Sequence, residues 1–192
     1  MICNKADYIH YLEADFKQSG ILYSIGNRIK VFLGFNEELR FIKAMRHLEY
    51  CENVLRRESL LGVARWIYAK IRFKRLSIRL GYSIPINVFG PGLSLPHRGN
   101  IIINPNTKIG ANCRIHVGVN IGAHLDKAPI IGDNVYIGPG AILFGDIKIA
   151  NNVTIGANAT LCKSVLQENV AVAGTPAKII KENMDTWNQH TK

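Results

Sequence analysis

Three histidines, His97, His116 and His124, fall within one short stretch of the chain. Histidine's ordinary pKa of about 6.5 lets it accept a proton near neutral pH, so one held beside a cleft can act as a general base toward a hydroxyl. Trios of imidazoles also bind zinc, and a histidine at a tolerant surface corner does neither. His10 and His47 sit in helical sequence and His190 in the tail, away from this stretch. Cys3, Cys51, Cys113 and Cys162 have no metal-ligand or disulfide-framework spacing and read as reduced thiols. The elements around the histidines decide which chemistry applies.

Those elements announce themselves by a six-residue beat of aliphatic residues: Ile103, Ile109, Ile115, Ile121, Ile131, Ile137, Leu143, Ile149, Ile155 and Leu161. Four places after most beats stands a small or β-branched residue, such as Cys113, Val119, Ala141 or Val153. Neither a helix period nor strand alternation makes this pattern; a fixed repeat marks a solenoid whose units bury their apolar sides by stacking. Six extended residues form one flat face, three faces close a coil of eighteen, and coils stack about 4.8 Å apart. The beat slips once, between Ile121 and Ile131, where four residues must leave a corner as a loop. Kept in register they would carry Asp126 and Lys127 toward the core, at several kcal/mol of desolvation. Glycine or alanine after the beat, as in Ile109-Gly110 or Ile149-Ala150, is expected to supply permissive backbone at the corners. His116 follows His97 by nineteen residues, one position off an eighteen-residue column, and His124 opens the inserted loop. The three imidazoles are therefore expected to cluster at one edge.

The chain has 192 residues and a net charge of +10. That length fits one domain, or one domain with an appendage. It contains no run of eighteen apolar residues, and Met1 to Asp7 lacks the features of a signal peptide, so a cytoplasmic location is expected. Residues 1–80 are helical in pattern, with stripes at Tyr8, Tyr11, Leu12 and Phe16 and at Phe41, Met45, Leu48 and Leu55. A further helix from about Ser59 to Leu80 places Leu60, Val63, Ala64, Ile67 and Ile71 on one face and carries Arg65, Lys70, Arg72, Lys74, Arg75 and Arg79 with no acid between them. It reads as a solvated helix packed on the solenoid, or as a platform for an anionic membrane or a lipid-linked glycan. No nucleic-acid partner is expected. Residues 81–180 form the repeat domain, irregular at first from Gly81 to Pro96. Residues 181–192 are read as a C-terminal helix and tail, the helix running from about Ile179 to Trp187 and covering the last coil.

The run Gly92-Leu93-Ser94-Leu95-Pro96-His97, with Gly99 and Ile101-Ile102-Ile103 after it, resembles the active-site strand of serine acetyltransferases in the hexapeptide-repeat acyltransferase superfamily. Ala173-Gly174-Thr175-Pro176-Ala177-Lys178 is similar to that superfamily's terminal motif. The resemblance covers about Ile84 to Ile180. It implies a mostly β fold, a left-handed parallel β-helix, commonly a homotrimer with acetyl-CoA between subunits and no metal. It also implies that His97 is the general base and that backbone N–H groups stabilise the oxyanion. The CoA arm would run along Gly122-Ala123, Gly138-Pro139-Gly140 and Gly156-Ala157-Asn158, with Lys163 and Lys178 near its phosphates and Thr175-Pro176 in the terminal motif.

Departures from the family pattern bear on the acceptor. The family's Asp fifteen residues before the catalytic histidine is Tyr82 here, and the acid just before the histidine is Pro96. Its Asp-Arg-His-Pro loop becomes Asp126-Lys127-Ala128-Pro129, and its regulatory C-terminal tail has no evident counterpart. With two acids missing and Tyr82 expected to offer a flat aromatic surface, the acceptor is read as a sugar hydroxyl in surface-polysaccharide synthesis. His116, His124, Asp126 and Lys127 would be further acceptor-side contacts. The alternative is a serine O-acetyltransferase of cysteine biosynthesis, in which Asp126 and Lys127 hold the amino acid. A zinc lyase of carbonic-anhydrase type fits the histidine spacings poorly.

Overall fold

The computed structural model describes residues 1–183. From Tyr82 onward the chain winds into a left-handed β-solenoid of about five turns, with three flat faces. The first face stacks β1 (Tyr82–Ser83), β2 (Ile101–Ile103), β5 (Asn120–Gly122), β8 (Ile142–Phe144) and β11 (Thr160–Leu161). The second stacks β3 (Lys108–Ile109), β6 (Ile130–Ile131) and β9 (Lys148–Ile149). The third stacks β4 (Arg114–Ile115), β7 (Tyr136–Ile137), β10 (Thr154–Ile155), β12 (Ala171–Gly174) and β13 (Ala177–Lys181). All pairs are parallel except β12 with β13, which form an antiparallel hairpin. Every beat residue from Ile103 to Leu161 is buried, because each faces the axis of the coil.

Register records the coil lengths. Ile103 pairs with Ile121 and Leu143 with Leu161, while Ile121 pairs with Leu143, an interval lengthened by the insertion. The inserted residues leave the corner as a tight turn. His124 and Lys127 exchange backbone hydrogen bonds of 2.9 and 3.1 Å, with Leu125 and Asp126 both left-handed, the geometry of a type I′ turn. The first coil also exceeds eighteen residues: Phe89 bridges to Ile109, Ser94 to Arg114, and Tyr82 pairs with Ile101. His116 therefore stands above His97 although nineteen residues separate them.

The corners are built differently from the sequence expectation. Gly110, Gly132 and Gly138 are not left-handed; that role falls three places after the beat, on Asn112, Gly118, Asn134, Gly140, Asn152 and Asn158. Asparagine tolerates this region better than other side chains because its short amide bonds locally. Glycine just after the beat serves close approach instead: a Cβ at Gly138 would stand 2.8 Å from the Ile155 carbonyl oxygen of the next coil.

Four helices precede the solenoid: α1 (Lys5–Gln18), α2 (Ile25–Leu33), α3 (Glu37–Asn53) and α4 (Leu60–Leu80). Each has an Asn or Ser N-cap, at Asn4, Ser24, Asn36 and Ser59, whose side chain accepts a first-turn N–H. Helices and solenoid share one core, running from Phe16, Phe41 and Met45 through Leu76 and Leu80 to Tyr82, Ile84 and the stacked coils. Between them Arg46 is fully buried. Its Nε donates to Asp15 at 2.9 Å, Nη1 to Glu49 at 3.1 Å, and Nη2 to the Gly90 carbonyl at 2.6 Å. Asp15 in turn accepts from Gly92 N–H and Leu93 N–H, both at 2.8 Å. This ionic knot pins the irregular first coil, and with it the segment that ends at His97.

Two expectations are corrected. Ile179–Lys181 is strand, not helix, because the β12–β13 hairpin returns along the third face; the rest of the expected terminal helix lies outside the described residues. The Leu60, Ala64, Ile67 and Ile71 stripe of α4 also faces away from the solenoid. The helix buries Gly62, Ala69, Leu76 and Leu80 instead; Gly62 lets α4 approach the Leu55 backbone, and the small Ala69 packs against Leu48 and Cys51 of α3.

Candidate active site

His97 and His116 stand at the edge where the third face turns into the first, their ring centroids 6.0 Å apart. Tyr136 follows at 5.1 Å from His116, so three rings climb this edge. His97 is exposed and His116 half-buried. Burial, then the Arg114 charge and the neighbouring His97, hold the His116 pKa below the ordinary histidine value. Its Nε2 is buried without a hydrogen-bond partner among the described residues.

Tyr82 is 2% exposed and cannot stack on a sugar ring. Its ring packs edge-on to Phe41 at 4.8 Å, and burial raises its pKa, with the Glu38 carboxylate adding to the shift. The hydroxyl donates to the carbonyl oxygen of His97 at 2.9 Å. Tyr82 thus holds the backbone of His97, whereas an acid at that position would be read as holding the imidazole.

Beside the pair, Pro96 lines a cavity of about 310 Å³ together with Ser94, Leu95, Arg114, Glu38 and the Gln18–Gly20 turn. Glu38 and Arg114 were missed by sequence reasoning. Arg114 is the residue before beat Ile115, a position that points outward on the coil above Ser94. Glu38 comes from the first turn of α3, and no repeat pattern connects that helix to His97.

Along the same edge Gly138-Pro139-Gly140 and Gly156-Ala157-Asn158 stack above His116: Gly140 N–H donates to Val117 O at 3.0 Å and Asn158 N–H to Pro139 O at 2.9 Å. Thr175 continues the column, its Oγ1 donating to Asn158 O at 3.3 Å. Lys163, Pro176 and Lys178 line a second cavity of about 310 Å³ at the C-terminal end, where the hairpin meets residues 160–167.

The remaining site residues are elsewhere. Gly122, Ala123, His124, Asp126 and Lys127 occupy the edge between the first and second faces, across about 15 Å of extended chain from His116. His124 is therefore separated from the other two imidazoles, contrary to the expected cluster, because the first face intervenes. Lys127 pairs with Asp146 at 2.8 Å on the open surface, which raises the lysine pKa and lowers the aspartate's.

A family model described as bacterial transferase hexapeptide (six repeats) matches residues 128–163, within this stack of coils. Residues 84–180, which carry the histidine edge, also hold the two runs that resemble family motifs, residues 92–97 and 173–178. The coils thus carry a hexapeptide-repeat match, and the chain is similar to serine acetyltransferases. The chain is 38% identical over 98 residues to a serine acetyltransferase of Staphylococcus aureus, across 49% of this chain and 46% of that one. It thus spans about half the length of the curated relatives it matches. Its fold is similar to that of a serine acetyltransferase from Brucella abortus, with a TM-score of 0.70, 27% identity, and coverage of 92% of this chain and 70% of that one. A serine acetyltransferase solved as a complex with CoA shares the fold at a TM-score of 0.66 and 22% identity, covering 92% and 71%.

Proposed function

We propose that this hexapeptide-repeat protein is an acetyl-CoA-dependent serine O-acetyltransferase with His97 as its general base. The observation that carries the reading is the His97–His116 pair, whose chain neighbours Pro96 and Arg114 line a cavity together with the acid Glu38. A free amino acid presents an ammonium and a carboxylate, and charge-assisted hydrogen bonds satisfy both in a partly dry pocket. Glu38 stands in for the acid that Pro96 lacks. Similarity to serine acetyltransferases favours this acceptor over a sugar, and the burial of Tyr82 removes the aromatic platform that favoured a sugar.

In the proposed reaction His97 takes the proton of the serine hydroxyl while that oxygen attacks the thioester carbon. The C–S bond of the tetrahedral intermediate then breaks, the acetyl group stays on oxygen, and the imidazolium returns its proton to the departing CoA thiolate. His116, kept neutral by its surroundings, offers a hydrogen bond beside the base. The CoA arm lies along Gly138–Gly140 and Gly156–Asn158, with Lys163 and Lys178 for its phosphates. The glycines there are already required by coil stacking, so the support comes from their place on the histidine edge. Gly122-Ala123, His124, Asp126 and Lys127 are one face away from that edge. In a threefold ring, each subunit's turn would close the neighbour's groove.

The sugar acceptor remains as a second reading because Pro96 replaces the family acid beside the base. Thiol release from acetyl-CoA, measured with L-serine and with a panel of sugar nucleotides and glycans, separates the two. Turnover with L-serine, with KM raised roughly tenfold or more by Glu38→Gln or Arg114→Gln, is the expected result. Turnover with a glycan alone would replace serine as the acceptor, and no thiol release with any acceptor would end the acetyltransferase reading.

A further inference from the structure

The side of α4 turned away from the core is built like a membrane-surface helix. Leu60, Ala64, Ile67, Ile71 and Ile78 fall within roughly 60° of one line down the helix, opposite the buried Gly62, Ala69, Leu76 and Leu80. Leu60 is 90% exposed, Ile71 49% and Ile78 71%. Lys70 and Lys74 flank this stripe on one side and Arg75, Arg72 and Arg65 on the other, and the helix contains no acid. Among the described residues Arg79 is the α4 cation in an ion pair, with Glu37 at 2.6 Å. Next to the stripe lies a groove of about 770 Å³ whose floor and walls include Leu48, Phe73, Ile78 and Ile86 and whose rim carries Lys74 and Arg75. α2 extends the same surface: Ile25, Ile29, Phe32 and Leu33 are exposed, and the Arg72 guanidinium sits 5.8 Å from the Phe32 ring.

We propose that α4, continued by α2, docks the protein onto an anionic lipid bilayer. The apolar stripe enters the boundary between headgroups and acyl chains while the flanking lysines and arginines meet lipid phosphates. Charge selects this occupant over a second copy of the chain. A twofold contact through α4 would set one acid-free cationic helix against another, and like charges facing each other oppose association. No helix among the described residues is long and apolar enough to cross a membrane, so the contact is peripheral. The inference does not depend on which acceptor the histidine edge serves.

Co-sedimentation of the full chain with vesicles tests it, using phosphatidylcholine mixed with phosphatidylglycerol against phosphatidylcholine alone, at low and high salt. Binding is expected to the anionic vesicles and to weaken with salt. Each cation removed should lower partitioning about fivefold, so Lys74→Glu with Arg75→Glu should lower it roughly 25-fold or more. Ile71→Glu with Ile78→Glu should abolish it; both positions are exposed, so an unchanged melting temperature shows that these variants fold. Three results would overturn the proposal: no binding to anionic vesicles, binding that neither pair of substitutions weakens, or vesicle-free self-association in sedimentation velocity that the same substitutions abolish.

Discussion

His97, the proposed general base, is exposed, and its chain segment is held by Tyr82 through the backbone carbonyl. His97→Ala should lower kcat by roughly 10² to 10⁴ with little change in acetyl-CoA affinity, as loss of a general base does. Steady-state kinetics with a CoA binding measurement checks this. The histidines also shape stability. Burial lowers the pKa of His116 and of His47, helped at His47 by Arg72, Lys43 and Arg65. Each binds a proton more readily in the unfolded chain, at about 6.5, than in the folded one. Stability is therefore at its plateau above that pH and is lost as pH falls from about 6.5 toward the lowered folded values. Urea unfolding across this range should show the slope, and His47→Gln with His116→Gln should flatten it.

Among the elements, the left-handed corners and the ionic knot carry separate burdens. Asn152 has φ +58°, which a β-branched residue enters only with strain. Asn152→Val should destabilise the solenoid by about 1–2 kcal/mol from backbone strain, whereas Asn152→Gly should change little, as chemical denaturation will show. Arg46 joins α3 to α1 and to the first coil. Arg46→Ala leaves Asp15 and Glu49 buried without their cation and should cost about 3–5 kcal/mol. Because Asp15 also holds Gly92 and Leu93, the same variant should expose the segment leading to His97 to faster hydrogen exchange.

For the whole molecule, the separation of the two edges argues for assembly. No movement within one chain brings Lys127 to His97 while the first face stays folded. A site that uses both needs a neighbouring subunit, and a threefold ring supplies three equivalent grooves. Sedimentation equilibrium should give three times the chain mass, or twice that for paired rings. An active single chain would refute the shared groove.

The solenoid was legible in the sequence because its period is local: each aliphatic beat faces the axis whatever its neighbours do. His97 was singled out through a motif resemblance, and the looped insertion was legible through the desolvation that Asp126 and Lys127 would otherwise suffer. The corner residues were misread because glycine serves both positive φ and close approach, and only coil-to-coil distances separate the two. The outward stripe of α4 was misread for a related reason. Two faces of that helix are apolar, and packing selected the one with Gly62 and Ala69, which allow a closer approach than Leu60 or Ile71. Tyr82, Glu38, Arg114 and the Arg46 knot depend on contacts between α1, α3 and the first coil, which have no period in the sequence. The sequence alone therefore determined the repeat and marked His97 as the candidate base. Which side chains surround that base, and which apolar face meets the solvent, was decided by tertiary packing, because burial and charge pairing depend on residues far apart in the chain.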